Sequence, residues 1–247
     1  MRENFPYQTQ RILIFGFWHC GTSILKSIIG HAKEVDEVID ERDKLPKVIS
    51  PYKFSLCKSP LTQEKFFEGE YKRDYQRIFI LRNPVWVFSS LNRRFKGKIP
   101  KDHSIELYEK AAKKFLYYRE NPQDNLYTIL YEELFEDNHK KIKEILDFIG
   151  IKWENQNIFD NKGFKNQIVT GLKGHIPKKE PSQLGKHGDF RQWQINQPFE
   201  NMNDKKKIQI TQKQKQKMLK SKVITKLYKV IESLTMKIDY VKLLLIT

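Results

Sequence analysis

RILIFGFWHCGTSILKSIIG, Arg11 to Gly30, is the stretch whose reading decides the fold. Ile12, Leu13, Ile14 and Phe15 form a short apolar run, the signature of a buried strand. Gly16 ends that run, and Gly21 sits near the end of the loop that follows. Ile24, Leu25, Ile28 and Ile29 then recur at helical spacing, which predicts a helix over about Thr22 to Lys33. A strand, a glycine-bounded loop and a helix place backbone amides and the positive end of a helix dipole around one point, which suits an anion. The spacing Gly16-x-x-x-x-Gly21 followed by Thr22-Ser23 is that of a P-loop with one change: Thr22 stands where the nucleotide-phosphate lysine belongs. A phosphate-like group fits this loop, but the ordinary lysine and magnesium chemistry of nucleoside triphosphates lacks its lysine.

The rest of the chain alternates in the same way. Phe54 to Cys57 is a weak strand pattern ending in Lys58-Ser59-Pro60. Arg77 to Leu81 is a second apolar strand run that stops at Arg82-Asn83-Pro84, and Pro suits the first turn of a helix, so Val85 to Phe95 follows as helix. Ser104 to Glu120 is an amphipathic helix, Asn125 to Leu130 a third core strand, and Asp137 to Ile149 a helix closed by Gly150. His31 to Pro46 reads as an acidic loop, and Thr62 to Asp74 as one helix. Near the end, Thr211-x-x-Gln214 is a capping box opening a C-terminal helix whose apolar stripe runs through Ile224, Leu227, Tyr228, Ile231 and Leu234. Strands alternating with helices imply an α/β fold, a three-layer parallel sheet flanked by helices, with ligands at the carboxyl ends of the strands. Arg82 would then face the same crevice as the loop at 19–23.

Composition sets the outer limits. The 247 residues, 39% of them apolar, suffice for one α/β domain over 1–247, with a Lys-rich helical segment at about 205–247. The formal charge is +16, and ten of those charges fall after residue 204, where twelve lysines face only Glu232 and Asp239. That segment reads as a solvated helix face or as a surface for a polyanion. Two cysteines, Cys20 and Cys57, make no disulfide framework and no metal-ligand cluster, so no metal is expected. No apolar run approaches the about 20 residues that span a bilayer. The N-terminal MRENFPYQTQR lacks the apolar core of a signal peptide, and a cytoplasmic protein is the expectation.

Three segments, in order, resemble the sulfotransferases that use 3′-phosphoadenosine 5′-phosphosulfate (PAPS). His19-Cys20-Gly21-Thr22-Ser23 is similar to that family's 5′-phosphosulfate loop, usually basic-Ser-Gly-Thr-Thr. Leu81-Arg82-Asn83-Pro84 with Ser90 eight residues after the arginine resembles the 3′-phosphate motif, in which that Arg and that Ser contact the phosphate. Tyr131-Glu132-Glu133-Leu134, followed by a helix ending in Phe148-Ile149-Gly150-Ile151, resembles the Tyr-Glu-Asp-Leu segment and its Phe-Leu-Gly-Leu ending. The resemblance covers about Arg11 to Lys152. It implies PAPS as co-substrate, no metal, and two anion cradles on one sheet edge: the loop at 19–23 for the phosphosulfate, and a forked Arg82 with the Ser90 hydroxyl for the 3′-phosphate.

The departures matter for mechanism. His19 stands where the family has Lys or Arg, so a protonated imidazole would have to offset charge on the leaving oxygen, and the rate would then depend on pH. Cys20 replaces the usual Ser, and Trp18 beside it either packs or stacks on adenine. Lys58-Ser59-Pro60-Leu61 resembles the Lys-Thr-His-Leu of the cytosolic branch, which implies that Lys58 contacts the sulfuryl group, but Pro60 removes that branch's catalytic histidine. In the carbohydrate and tyrosine branches a glutamate after the first helix is the base; here Glu41 is nearest in spacing, with Asp40 and Glu37 as rivals and His103 and His31 behind them. Gly185 to Arg191 is similar to a late glycine-rich phosphate loop, with Lys186 or Arg191 supplying its charge.

These readings converge on sulfuryl transfer to a hydroxyl or amine of a glycan or small molecule, with the missing histidine leaning toward a carbohydrate-like acceptor. No specific nucleic-acid partner is implied, and the sequence leaves oligomeric state open. Two other classes remain in view. A P-loop kinase for a small metabolite would bind ATP and Mg²⁺, against which stand Thr22 and Arg82. A non-catalytic polyanion binder would act through the C-terminal lysines, with affinity falling steeply in salt.

Overall fold

The computed structural model describes residues 9–30, 32, 34–39, 54–152, 201, 203 and 207–235. Five parallel strands form one sheet: β1 (Gln10–Gly16), β2 (Val35–Ile39), β3 (Phe54–Ser59), β4 (Tyr75–Leu81) and β5 (Leu126–Leu130), in the order β2-β3-β1-β4-β5. The helices are α1 (Thr22–Ile29), α2 (Gly69–Asp74), α3 (Pro84–Phe95), α4 (Ile105–Glu120), α5 (Lys140–Ile149), α6 (Gln212–Lys220) and α7 (Lys222–Thr235).

Parallel strands covered on both faces read as continuous apolar runs, and alternate residues then serve two cores. On β1, Leu13 and Phe15 join one core while Ile12 and Ile14 join the other; on β4, Phe79 and Leu81 oppose Ile78 and Ile80. The first core holds α3, α4, α6 and α7 on the sheet, and the second holds α1 and α5. Phe15 stacks on Phe79 at 4.8 Å, with Phe66 and Phe67 against its other sides. The result is the three-layer parallel α/β fold expected from the sequence.

Several boundaries differ from expectation. Val35–Ile39 is a strand, not part of an acidic loop. Its Asp36 and Glu37 interrupt the apolar pattern, which an edge strand paired only with β3 tolerates. The helix expected over 62–74 is a 3₁₀ turn at Glu64–Phe67 followed by α2, because Gly69 turns the chain with φ +56°. The helix expected from Asp137 starts at Lys140, after three residues of positive φ at 137–139. The C-terminal helix is two helices divided at Ser221, though the Thr211–Gln214 capping box forms as predicted. Helix α1 ends at Ile29, four residues short of the predicted end, with Gly30 as its C-cap. Ile224, Leu227, Tyr228 and Ile231 of α7 are buried in the first core, so α7 packs into the body of the fold. Lys217 and Lys226 of α6 and α7 pair with Glu106 and Glu120 of α4, which spends part of the basic face on exposed ion pairs of small individual worth.

Candidate active site

The strand register sets the carboxyl edge. Phe15 pairs with Ser59, Gly16 with Ile80, and Leu81 with Leu130, so the segments following β1, β3, β4 and β5 emerge side by side. Two glycines make the first loop possible. A Cβ on Gly16 would lie 2.1 Å from the Ile80 carbonyl oxygen, so the loop leaves β1 against the backbone of β4. Gly21 has φ +99°, and a Cβ there would lie 2.5 Å from the Tyr131 ring. Between them the chain turns tightly, with the Cys20 amide donating to the Phe17 carbonyl at 3.2 Å and His19 in the left-handed region at φ 60°. Helix α1 then starts with Gly21 as its N-cap, no side-chain cap and no acidic residue in its first turn. Such a terminus keeps its electrostatic preference for an anion uncompensated.

Arg82 follows β4 and is buried to 9% exposure. Its Nη1 donates to the His19 carbonyl oxygen at 3.2 Å, and its guanidinium lies 4.2 Å from the centre of the Tyr131 ring. Arg82 therefore touches the loop after β1, on the sheet edge that strand alternation predicts. Its other edge is already occupied, since Nε and Nη2 both donate to Asn203 Oδ1, the Nε bond at 3.1 Å. The Tyr108 hydroxyl, from α4, donates to the Arg82 carbonyl at 2.5 Å. Asn83 caps α3 by accepting from the Val85 amide at 2.9 Å, and Pro84 begins the helix. One turn later, Ser90 Oγ lies 2.8 Å from His19 Nδ1. Ser90 and His19, assigned from the sequence to opposite ends of a ligand, thus meet.

Glu132 is the buried acid of this edge. Its Oε1 accepts from the Asn83 amide at 3.1 Å and from Asn203 Nδ2 at 3.2 Å, while Oε2 is buried with no hydrogen-bond partner among the described residues. Burial pushes its carboxyl above the ordinary value, with the Arg82 charge opposing. Glu133, by contrast, turns away and pairs with Arg119 through both oxygens.

Lys58 is almost fully buried near the end of β3, beside Ile14 of β1 in the register. Thr22 is buried and Ser23 half-buried in the first turn of α1. The Cys20 thiol is buried in the first core, and burial pushes it up to about 12. Trp18 packs rather than standing open, its ring stacked on His103 at 4.3 Å. His103 Nδ1 lies 2.7 Å from Asp102 Oδ1, and Phe95 meets the His103 ring edge-on at 5.3 Å. Glu41, Asp40, His31, Lys186 and Arg191 lie outside the described residues, as does the side chain of Glu37. Among the described residues, no group of three or more His, Cys, Asp or Glu is placed to hold a metal ion, and no helix is long and apolar enough to cross a membrane.

Sequence reasoning missed Asn203, which lies 121 residues after Arg82 in no recognised motif. The Tyr131–Leu134 motif contains Glu132 but by itself gives it no role. The signal for Glu132 was present: a glutamate at a strand's carboxyl end, in the same motif as Tyr131.

The sulfotransferase domain family matches this chain over residues 9–227. No curated protein matches it significantly. Among solved structures, mouse sulfotransferase SULT7A1 complexed with PAP is similar at TM-score 0.44 and 19% identity, covering 60% of this chain and 61% of its own. Retinol dehydratase in a complex with retinol and PAP is similar at TM-score 0.44 and 14% identity, and in a complex with androsterone and PAP at TM-score 0.46 and 14% identity. Each retinol dehydratase match covers 66% of this chain and 68% of the other.

Proposed function

Because the chain belongs to the sulfotransferase family, we propose that it moves a sulfuryl group from PAPS to a hydroxyl or amine acceptor, carbohydrate-like in class. One observation carries this reading: two anion cradles are joined on one sheet edge, the uncapped start of α1 and the guanidinium of Arg82, through the Arg82 bond to the His19 carbonyl. A ligand with separate phosphosulfate and 3′-phosphate groups needs two such cradles. The fit is local as well. The space beside Gly21 admits no side chain, and Arg82 donates three of its five N–H bonds to described residues, leaving one on each terminal nitrogen without an acceptor among them.

PAPS supplies an activated sulfuryl group on a phosphate leaving group. The acceptor oxygen or nitrogen forms the new bond to sulfur as the bond from sulfur to the bridging oxygen breaks. Gly21, Thr22 and Ser23 hold the phosphosulfate at the helix terminus, and Arg82 with Ser90 holds the 3′-phosphate. Lys58 and a protonated His19 offset the charge that grows on the sulfuryl oxygens and the leaving oxygen. The acceptor's proton goes to a carboxylate base, Glu41, the residue nearest in spacing to the glutamate that serves in the carbohydrate branch.

Calorimetry tests the reading. Adenosine 3′,5′-bisphosphate should bind and ATP with Mg²⁺ should bind much more weakly. Arg82→Ala should lower bisphosphate affinity about 10–100-fold, the loss of hydrogen bonds to a charged group. Glu41→Gln should lower kcat while leaving that affinity unchanged. Preferential ATP–Mg²⁺ binding would replace this reading with the kinase one.

A further inference from the structure

We propose that Asn203 is a positioning residue for Arg82, and that its neutral amide is what lets this site tell a 3′-phosphorylated nucleotide from one without that phosphate. The inference rests on the assignment of Arg82 to the 3′-phosphate. Its basis is a chain of three side chains. Arg82 donates Nε and Nη2 to Asn203 Oδ1, and Asn203 donates Nδ2 to Glu132 Oε1 at 3.2 Å. An amide can be turned end for end, but here its neighbours decide. Arg82 only donates and an ionised Glu132 only accepts, so the oxygen must face the arginine and the nitrogen the glutamate. Glu132 is itself fixed by the Asn83 amide at 3.1 Å.

The consequence is electrostatic as well as geometric. The guanidinium is held on three sides, by Asn203, by the His19 carbonyl and by the Tyr131 face, and among the described residues no carboxylate touches it. Glu132 stands one amide away. Arg82 is therefore aimed without being neutralised, and its charge stays available to a phosphate. A carboxylate at position 203 would form the forked ion pair that arginine favours and would compete with the ligand.

The segment carrying Asn203 is tied to the same helix that carries Ser90. Asn203 donates its amide to Asn201 Oδ1 at 3.0 Å. Beyond it, the Lys207 carbonyl accepts from Arg93 at 2.9 Å, the Gln209 amide donates to Ser89 Oγ at 2.7 Å, and the Gln209 carbonyl accepts from Asn92 at 2.6 Å. Helix α3 thus presents Ser90 to the site and uses Ser89, Asn92 and Arg93 to hold Lys207 and Gln209, which follow Asn203 in the chain.

The test compares adenosine 3′,5′-bisphosphate with adenosine 5′-monophosphate by calorimetry on the full chain, in wild type, Asn203→Ala, Asn203→Asp, Arg82→Ala and the Arg82→Ala/Asn203→Ala double variant. The quantity read is the ratio of the two affinities. Asn203→Ala should lower that ratio about tenfold, with monophosphate affinity little changed and a lower thermal midpoint from the buried groups it leaves unpaired. Asn203→Asp should lower it at least as far. The double variant should lose no more than Arg82→Ala alone, since residues acting through one group are not additive. A wild-type preference that persists unchanged in Asn203→Ala, or full additivity in the double variant, overturns the proposal and leaves the 3′-phosphate assignment standing. Equal wild-type affinity for the two nucleotides overturns that assignment and this proposal with it. Parallel loss of both affinities in both Asn203 variants, with the ratio unchanged, assigns Asn203 a structural role only and overturns the proposal.

Discussion

His19 Nδ1 and the Ser90 hydroxyl are 2.8 Å apart, which links the loop after β1 to the second turn of α3. The residue read as the cation of the transfer is therefore held by the residue read as a 3′-phosphate contact. An imidazole in that role works only when protonated, unlike the lysine or arginine that the resemblance leads one to expect. The rate should fall as pH rises and the imidazole loses its proton. His19→Lys should keep activity at higher pH, since lysine stays charged to about 10. His19→Ala should lower kcat about 10²–10³-fold, the scale of one preorganised charge-stabilising group. The measurement is a pH–rate profile of the three proteins at saturating PAPS. A wild-type rate that is flat from about pH 6 to 9, spanning the ordinary histidine value, would remove His19 from the chemistry.

Gly21→Ala tests how the loop is seated. The new Cβ would fall 2.5 Å from Tyr131 Cδ2, on a residue at φ +99°. The strain alone costs on the order of 1–3 kcal/mol. The Tyr131 ring that must move also carries Arg82 on its face. The variant should lose both thermal stability and affinity for adenosine 3′,5′-bisphosphate. Gly69→Ala is the control. Gly69 has φ +56° and nothing within 4 Å of an added Cβ, so that variant should lose some stability and no affinity.

The contrast between those glycines also shows where the sequence is readable. Local rules placed what is local: β1, the Gly16–Gly21 loop, the Pro84 start of α3, the Thr211 capping box. The edge of the sheet then followed from strand alternation, and with it the approach of Arg82 to the His19 loop. β2 escaped because two acidic residues dilute its apolar signal, and edge pairing on one side needs little of it. Asn203 escaped for a different reason. Its partner lies 121 residues earlier, and an asparagine just ahead of a lysine-rich segment looks like any turn residue. The buried acceptor that Arg82 requires was foreseeable as a need; the sequence does not say which residue meets it.

The cysteines should be inert in the folded chain. The Cys20 thiol is pushed up to about 12, mainly by burial, so almost none of it is thiolate at pH 8. Cys57 is equally buried, with its Sγ 3.7 Å from the Ile12 carbonyl. Alkylation by iodoacetamide, followed by mass spectrometry across a urea series, should track global unfolding at both sites. Rapid labelling of Cys20 without urea would show that the loop opens on its own and that its packing role is overstated.

Glu132 should leave a pH signature in stability. Burial raises its carboxyl above the ordinary value of 4.5, and the sign follows from linkage. Between the unfolded and the folded values, the native state holds a proton that the unfolded chain has released, so stability falls as pH rises through that window and is constant beyond it. Glu132→Gln keeps the shape and an oxygen for the Asn83 amide and the Asn203 amide group, but does not titrate. The urea midpoint of the variant minus that of wild type should therefore increase from pH 4.5 upward and level off above the folded value. Groups common to both proteins cancel in the difference, including Glu106, whose carboxyl is held down to about 2 by Lys217 and titrates below this range. A difference that stays constant across the range would mean that Arg82, one amide away, keeps Glu132 ionised as easily as water does. A difference that shrinks with pH would mean that the arginine overcomes burial and that Glu132 is a stabilising carboxylate of the site.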